Sequence, residues 1–205
     1  MKQFYLAVFI IFLFPINYSD GSDLSESDLL FQEATEAVKE KRYLKAINLF
    51  EKLGNDFEAD AQYNLAILLK SGRGKPQDYK AALKWGWLSL LGNIEAADKL
   101  VDEIKGIVPE LELKKIRKDV KEFIQVKAEK GDNIAISQMG NYFLVVPETE
   151  EYKDAYLWFL IAAAFQIDGS IEKRDRVESE VESKDILKIQ SKALELFEKI
   201  SQTKK

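Results

Sequence analysis

The side chains that could do acid–base or nucleophilic chemistry in this chain are carboxylates, lysines, tyrosines and serines. The 205 residues include no Cys and no His, which excludes thiolate nucleophiles, imidazole bases, Ser-His-Asp triads and the usual zinc sites. Asp and Glu number 35, but none stands at a spacing typical of a catalytic pair. The charged run 172–185 reads as the solvated ends of two helices. We therefore expect no catalytic residue, no metal site and no cofactor.

A second candidate for chemistry is the Gly-x-Gly sequence formed by Gly72 and Gly74, which has the look of a phosphate-binding loop. Such a loop follows an apolar strand and precedes a Lys-Ser or Lys-Thr pair, and this sequence has neither. The two glycines instead predict a turn between paired helices, which Pro76 stiffens. Asp78 is placed to cap the helix that follows.

Bulk composition favours a folded, helix-rich protein and argues against a nucleic-acid partner. The chain has 10 Gly and 4 Pro, too few for a turn-rich all-β protein. Its net charge of −5 is distributed over alternating lysines and carboxylates, whereas nucleic-acid binders concentrate positive charge on one face.

The amino terminus has the pattern of a secretory signal peptide. Lys2 precedes an apolar run from Phe4 to Phe14, which is short for a membrane span of about 20 residues. We expect residues 1–19 to be a signal peptide and residues 20–26 a flexible linker. An uncleaved anchor formed by residues 1–16 is the alternative.

One motif occurs twice, 73 residues apart: Tyr79-x-x-Ala82-x-x-Trp85-x-x-Leu88 and Tyr152-x-x-Ala155-x-x-Trp158-x-x-Ile161. A shorter form, Tyr43-x-x-Ala46, precedes the first copy by 36 residues. A period near 36 is typical of helix-turn-helix solenoids, so we expect the two tryptophans to fill equivalent spaces. The apolar periodicity predicts ten helices, at roughly 27–40, 43–53, 58–70, 78–91, 94–105, 110–129, 132–145, 150–165, 169–181 and 184–202.

Three glycines, Gly54, Gly92 and Gly131, fall near the predicted helix ends. We expect each to follow the last helical residue with a positive φ, which glycine adopts easily. Trp87 has no aromatic equivalent one long period later, and we expect it to be buried.

Segment 61–97 resembles a Sel1-like repeat, a relative of the tetratricopeptide repeat, and segment 128–170 resembles it more weakly. The matches in the first copy are Ala61, Leu65 and Ala66, the turn from Gly72 to Tyr79, then Ala82, Trp85, Gly92, Asn93 and Ala96. The resemblance implies an all-α fold, a right-handed α-solenoid of antiparallel helix pairs. It would cover residues 27–202, with its clearest repeats at 58–93 and 132–166 and a tail at 203–205.

The function that the resemblance implies is that of an exported bacterial scaffold, periplasmic or secreted, which binds a protein or peptide on its concave surface. The first helix of each pair lines that surface, and its outer positions are the expected binding residues: Asp28, Phe31, Thr35, Asp60, Tyr63, Ile67, Lys70, Ser137 and Asn141. We expect a monomer that contacts a membrane only through an uncleaved leader. The alternatives are a carboxylate-based hydrolase of envelope glycans and a membrane-tethered structural component of the envelope.

Overall fold

A computed structural model describes residues 24–204, and every regular element in that range is an α-helix. The predictions of a signal peptide over 1–19 and of an anchor over 1–16 lie outside the described residues. Within residues 24–204, no helix combines the length and the apolar character that a membrane crossing requires.

The ten helices agree with the predicted ones to within three residues at each end. They are α1 (Glu26–Lys39), α2 (Tyr43–Asn55), α3 (Ala59–Ser71), α4 (Tyr79–Leu91), α5 (Ala96–Lys105), α6 (Glu110–Ala128), α7 (Asn133–Val145), α8 (Tyr152–Ala164), α9 (Ser170–Glu178) and α10 (Ser183–Thr203).

Short polar side chains cap the amino-terminal ends of three helices, α1, α4 and α7. Ser25 forms a capping box with Asp28 at the start of α1. Asp78 accepts a hydrogen bond from the backbone N–H of Ala81 at 3.0 Å, so its predicted capping role is confirmed. Asp132 accepts one from the N–H of Ala135 at 2.9 Å and starts α7 in the same way. Each cap satisfies a backbone donor that the helix itself leaves without a partner.

The helices form an α-solenoid of helix pairs, as the sequence predicted. The pairs α1–α2, α3–α4 and α7–α8 pack closely, and α2 with α3 and α6 with α7 join successive layers. The remaining helices differ from simple pairs, because α5 and α6 both pack on α4, and α9 and α10 both pack on α8. The four-helix unit α3–α6 is thus repeated as α7–α10, which accounts for the 73-residue period.

Equivalent positions of the two copies have equivalent burial. The alanines Ala46, Ala82 and Ala155 have no exposed surface, while the exposed fractions of Trp85 and Trp158 are 7% and 6%. Trp87 is 2% exposed, as expected. These matched burials are what the repeat predicts for its alanines and tryptophans.

The predicted positive φ is found at Gly131, where φ is 86°, but the prediction is wrong for Gly54 and Gly92. Gly54 lies inside α2, and φ at Gly92 is −84°. The left-handed conformations fall instead on Phe57 and Asn93, with φ of 66° and 69°.

Space, rather than backbone conformation, explains the glycines at 54 and 92. A Cβ on Gly54 would lie 3.1 Å from Cζ3 of Trp85, and one on Gly92 would lie 2.5 Å from Cβ of Ala59. At Gly92 a larger residue would force Ala59 to move, whereas at Gly54 the Trp85 ring would have to give by a few tenths of an ångström.

We predict that Gly74→Ala lowers the free energy of unfolding by about 2 kcal/mol or more, because L residues are strained at its φ of 84°. The new Cβ would also lie 2.7 Å from the backbone at Tyr43 and Leu44, where α2 begins. Gly106→Ala is the control, since Gly106 has φ of −64° and its nearest neighbours would be 3.6 Å away. Urea unfolding should show no loss for the control, and equal losses would contradict the prediction.

Candidate functional site

Two adjoining clefts lie beside α3 and α7, the first helices of their pairs. The first, which we call cleft A, has a volume of about 320 Å³ and lies between the start of α3 and the turn from α4 to α5. Its lining consists of Asp60, Tyr63, Asn64, Asn93, Ile94, Glu95 and Ala96.

Cleft A combines an aromatic ring with two exposed carboxylates, Asp60 and Glu95. Within the described part of the chain, no Lys or Arg forms an ion pair with either of them. Although Asp60 is exposed as a residue, partial burial of its carboxyl raises the pKa of that group. Burial, and next the charge of Glu103, raise the pKa of the half-buried Tyr63. The cleft therefore presents negative charge beside an apolar ring.

The second cleft, cleft B, has a volume of about 280 Å³ and lies between the α4 end, α7 and α9. Its lining consists of Phe57, Ala59, Leu91, Gly92, Asn93, Asn133, Ile134, Ser137, Gln138, Asn141, Ile167 and Lys173.

The polar groups of cleft B centre on Lys173. Its ammonium donates a hydrogen bond to Oδ1 of Asn141 at 3.2 Å, and Nδ2 of Asn141 faces the Leu91 carbonyl oxygen at 3.5 Å. Burial lowers the pKa of Lys173, and the neighbouring charge of Arg176 lowers it further. Gln138 is 3% exposed, and its Oε1 accepts no hydrogen bond. Cleft B therefore holds a cation and an unused hydrogen-bond acceptor.

Asn93 lines both clefts, which therefore adjoin, and we call the two clefts together the groove. Its backbone is left-handed, a conformation that Asn tolerates better than most residues. The N–H of Asn93 donates to the Leu90 carbonyl oxygen at 3.0 Å, and that of Ile94 donates to the Ser89 carbonyl oxygen at 3.1 Å. These bonds fix the turn against the end of α4.

Four of the binding residues predicted from sequence line the groove. Asp60 and Tyr63 lie in cleft A, and Ser137 and Asn141 lie in cleft B.

The other two residues predicted on α3 line neither cleft. Ile67 is half-buried and packs against the core. Lys70 forms an ion pair with Glu103 of α5.

The three residues predicted on α1 also line neither cleft, and each makes a contact that supports the first pair. Asp28 accepts hydrogen bonds from the N–H and Oγ of Ser25, at 3.1 and 2.7 Å. The Phe31 ring packs edge-to-face on Phe50, with ring centres 5.6 Å apart. Thr35 donates to the carbonyl oxygen of Gln32 at 2.8 Å.

Sequence reasoning missed six polar residues of the groove: Asn64, Asn93, Glu95, Asn133, Gln138 and Lys173. Asn93 was used only as a mark of the repeat. Lys173 lies in the charged run that reads as solvated, and only its position against α7 separates it from the lysines around it.

Comparisons with known proteins give a structural likeness. No protein-family model matches the sequence, and no curated protein matches it. The chain is similar to the crystal structure of c5321, a protective antigen present in uropathogenic Escherichia coli strains displaying an SLR fold. The identity is 17% and the TM-score 0.37, and the match covers 86% of this chain and 47% of that one.

The chain thus spans about half the length of the protein that it matches. At this identity and TM-score the likeness says nothing about ligands, and the helix packing described above is what establishes the fold. Ten helices arranged in pairs are consistent with Sel1-like repeats.

We predict that Phe31→Ala lowers the free energy of unfolding by about 2 kcal/mol, because it removes a ring that packs on the buried Phe50. Leu29→Ala on the same helix is the control, since Leu29 is 52% exposed and should change stability by less than about 0.5 kcal/mol. Thermal and urea unfolding of both variants measure the difference. A neutral Phe31→Ala would mean that the Phe31 ring does not support the first pair.

We predict that Asp60→Asn increases the free energy of unfolding at pH 7. Burial raises the pKa of Asp60 in the folded state, so the ionised carboxylate opposes folding once the pH exceeds the folded-state pKa. The gain should shrink as the pH falls towards and below the ordinary value of 3.8, where both states take up the proton. Asp119→Asn, at an exposed position of α6, is the control. A pH-independent difference for Asp60→Asn would contradict the prediction.

Proposed function

We propose that the protein binds an extended segment of a partner protein along the groove formed by clefts A and B. The observation that carries the proposal is the set of amide side chains that line the groove: Asn64, Asn93, Asn133, Gln138 and Asn141. An amide carries both donors and acceptors, which is the combination that an extended peptide backbone presents in return. Part of this capacity is used inside the protein: Asn141 bonds to Lys173 and Leu91, Asn64 donates to the Asp60 carbonyl oxygen, and Asn133 accepts from Lys204. The donors and acceptors that these bonds leave over are the ones a peptide would meet.

The apolar residues of the groove support the same reading. Tyr63 and Ile94 line cleft A, while Phe57, Ile134 and Ile167 line cleft B. Their surfaces suit side chains of a bound segment, so that main-chain hydrogen bonds would supply affinity and the two clefts specificity.

Cleft volumes also favour a peptide over a small metabolite. Each volume lies near the lower end of the range for small-molecule pockets, about 300 Å³. Two such clefts side by side fit successive side chains of a passing chain better than one enclosed ligand.

We also propose that the protein works after export, as a monomer in the periplasm or outside the cell. The basic and apolar pattern of residues 1–19 supports export. Amino-terminal sequencing of the protein recovered from its own cells tests this, because a start near residue 20 is expected and an intact Met1 would contradict cleavage.

Peptide binding in the groove is tested by a substitution that fills cleft B. We predict that Ser137→Arg weakens binding of a peptide selected on the wild-type protein by about tenfold or more, because the new side chain enters cleft B. The probe is a 12-residue peptide enriched from a random display library, and its affinity is measured by fluorescence polarisation.

Ser191→Arg is the matched control, since it makes the same substitution at an exposed position of α10. It should leave the affinity unchanged. Equal affinities for both variants, each shown by circular dichroism to be folded, would place the peptide elsewhere and contradict the proposal.

A further inference from the structure

We propose that the groove selects segments carrying a basic residue for cleft A and a carboxylate for cleft B. This inference rests on the proposed function and names the chemistry of the bound segment. It follows from charges of opposite sign that the fold places in adjoining clefts and that form no ion pair within residues 24–204.

Lys173 is the first of these charges. No carboxylate in residues 24–204 lies within ion-pair distance of its ammonium, whose only side-chain acceptor is Oδ1 of Asn141 at 3.2 Å. Arg176, one helical turn away, adds a second positive charge. A carboxylate in cleft B would provide the missing counter-charge and a charge-assisted hydrogen bond.

Lys173 is one of four half-buried lysines that form no ion pair within residues 24–204, and the others are Lys84, Lys121 and Lys127. The ammonium of each of those three lies over an aromatic ring, and that of Lys173 lies 5.8 Å from the ring centre of Phe159. What distinguishes Lys173 is that it lines cleft B, where a bound segment can supply a carboxylate.

Gln138 places a buried amide in the wall of cleft B. Its Oε1 accepts no hydrogen bond within residues 24–204, but the same holds for Gln62, which lines neither cleft, so this atom does not identify a ligand by itself. The apolar side chains that line cleft B with Lys173, among them Phe57, Ile134 and Ile167, favour a peptide carboxylate over an inorganic anion.

Cleft A has the complementary character. Asp60 and Glu95 supply two carboxylates that have no ion-pair partner among the described residues, and the Tyr63 ring lies beside them. A lysine or arginine side chain can lay its apolar stem and its charge against such a ring while it meets the carboxylates. Since the clefts meet at Asn93, one extended segment can reach both.

The half-buried ammonium of Lys173, which has no ion-pair partner within residues 24–204, also predicts how Lys173→Met will behave. We predict that Lys173→Met keeps or increases the free energy of unfolding while it weakens binding of acidic peptides about tenfold or more. A residue with a purely structural role would lose stability instead. Lys192→Met, which removes the same charge from an exposed position of α10, should change neither property.

The test uses the wild-type protein to select binders from two random libraries of displayed 12-residue peptides. In one library, which we call internal, the peptide is flanked by other residues on both sides, and in the other the peptide ends in a free carboxyl terminus. Enriched peptides should combine Lys or Arg with Asp or Glu at a fixed spacing. Enrichment of acidic side chains in the internal library identifies a side-chain carboxylate, and enrichment only with free termini identifies the terminal carboxylate.

Charge reversal then assigns the two clefts. Lys173→Glu should make cleft B prefer basic residues of the peptide instead of acidic ones. Asp60→Lys should make cleft A prefer acidic residues instead of basic ones. Peptides without a charge pattern that still lose affinity on Ser137→Arg would overturn this inference and leave the groove in place. If the wild-type protein enriches no peptide, or if Ser137→Arg leaves the affinity of the enriched peptides unchanged, both proposals are overturned.

Discussion

The close approach of neighbouring helices at residues without a side chain is the constraint on which the rest of this structure depends. Phe159 of α8 would lie 2.5 Å from a Cβ on Gly140 of α7, and Ala59 of α3 would lie equally close to one on Gly92. The second contact brings the turn after α4 against the first turn of α3. Cleft A lies beside this contact and is lined by Asn93 and Glu95 from the turn and by Asp60 from α3.

The periodic part of the architecture could be predicted from sequence because each repeat buries the same positions. Tyr-x-x-Ala-x-x-Trp marks a helix whose alanine is fully buried and whose tryptophan fills the adjoining space, and both Trp85 and Trp158 obey it. Conformation at the turns was less predictable, since glycine serves two purposes. Gly131 supplies a positive φ, whereas Gly54 supplies room for the Trp85 ring.

The groove was only half predictable, for a reason that follows from its construction. Asp60, Tyr63, Ser137 and Asn141 lie on the first helices, where periodicity identifies the outer face. Its other polar residues come from the turn after α4 and from α9, which reach the groove through packing between layers. No spacing in the sequence distinguishes the half-buried Lys173 from the solvated lysines near it.

The proposed function gives a use to charges that the fold partly buries. Partial burial raises the pKa of Asp60 and lowers that of Lys173, so the charged form of each group is less favourable in the folded protein than in water. Backbone amide chemical shifts, followed by NMR while a library-selected peptide is titrated in, test most directly whether a partner meets these charges. The account predicts the largest changes at residues 60–64, 93–96 and 133–141 and at Lys173. Changes confined to α1 or α10 would contradict it.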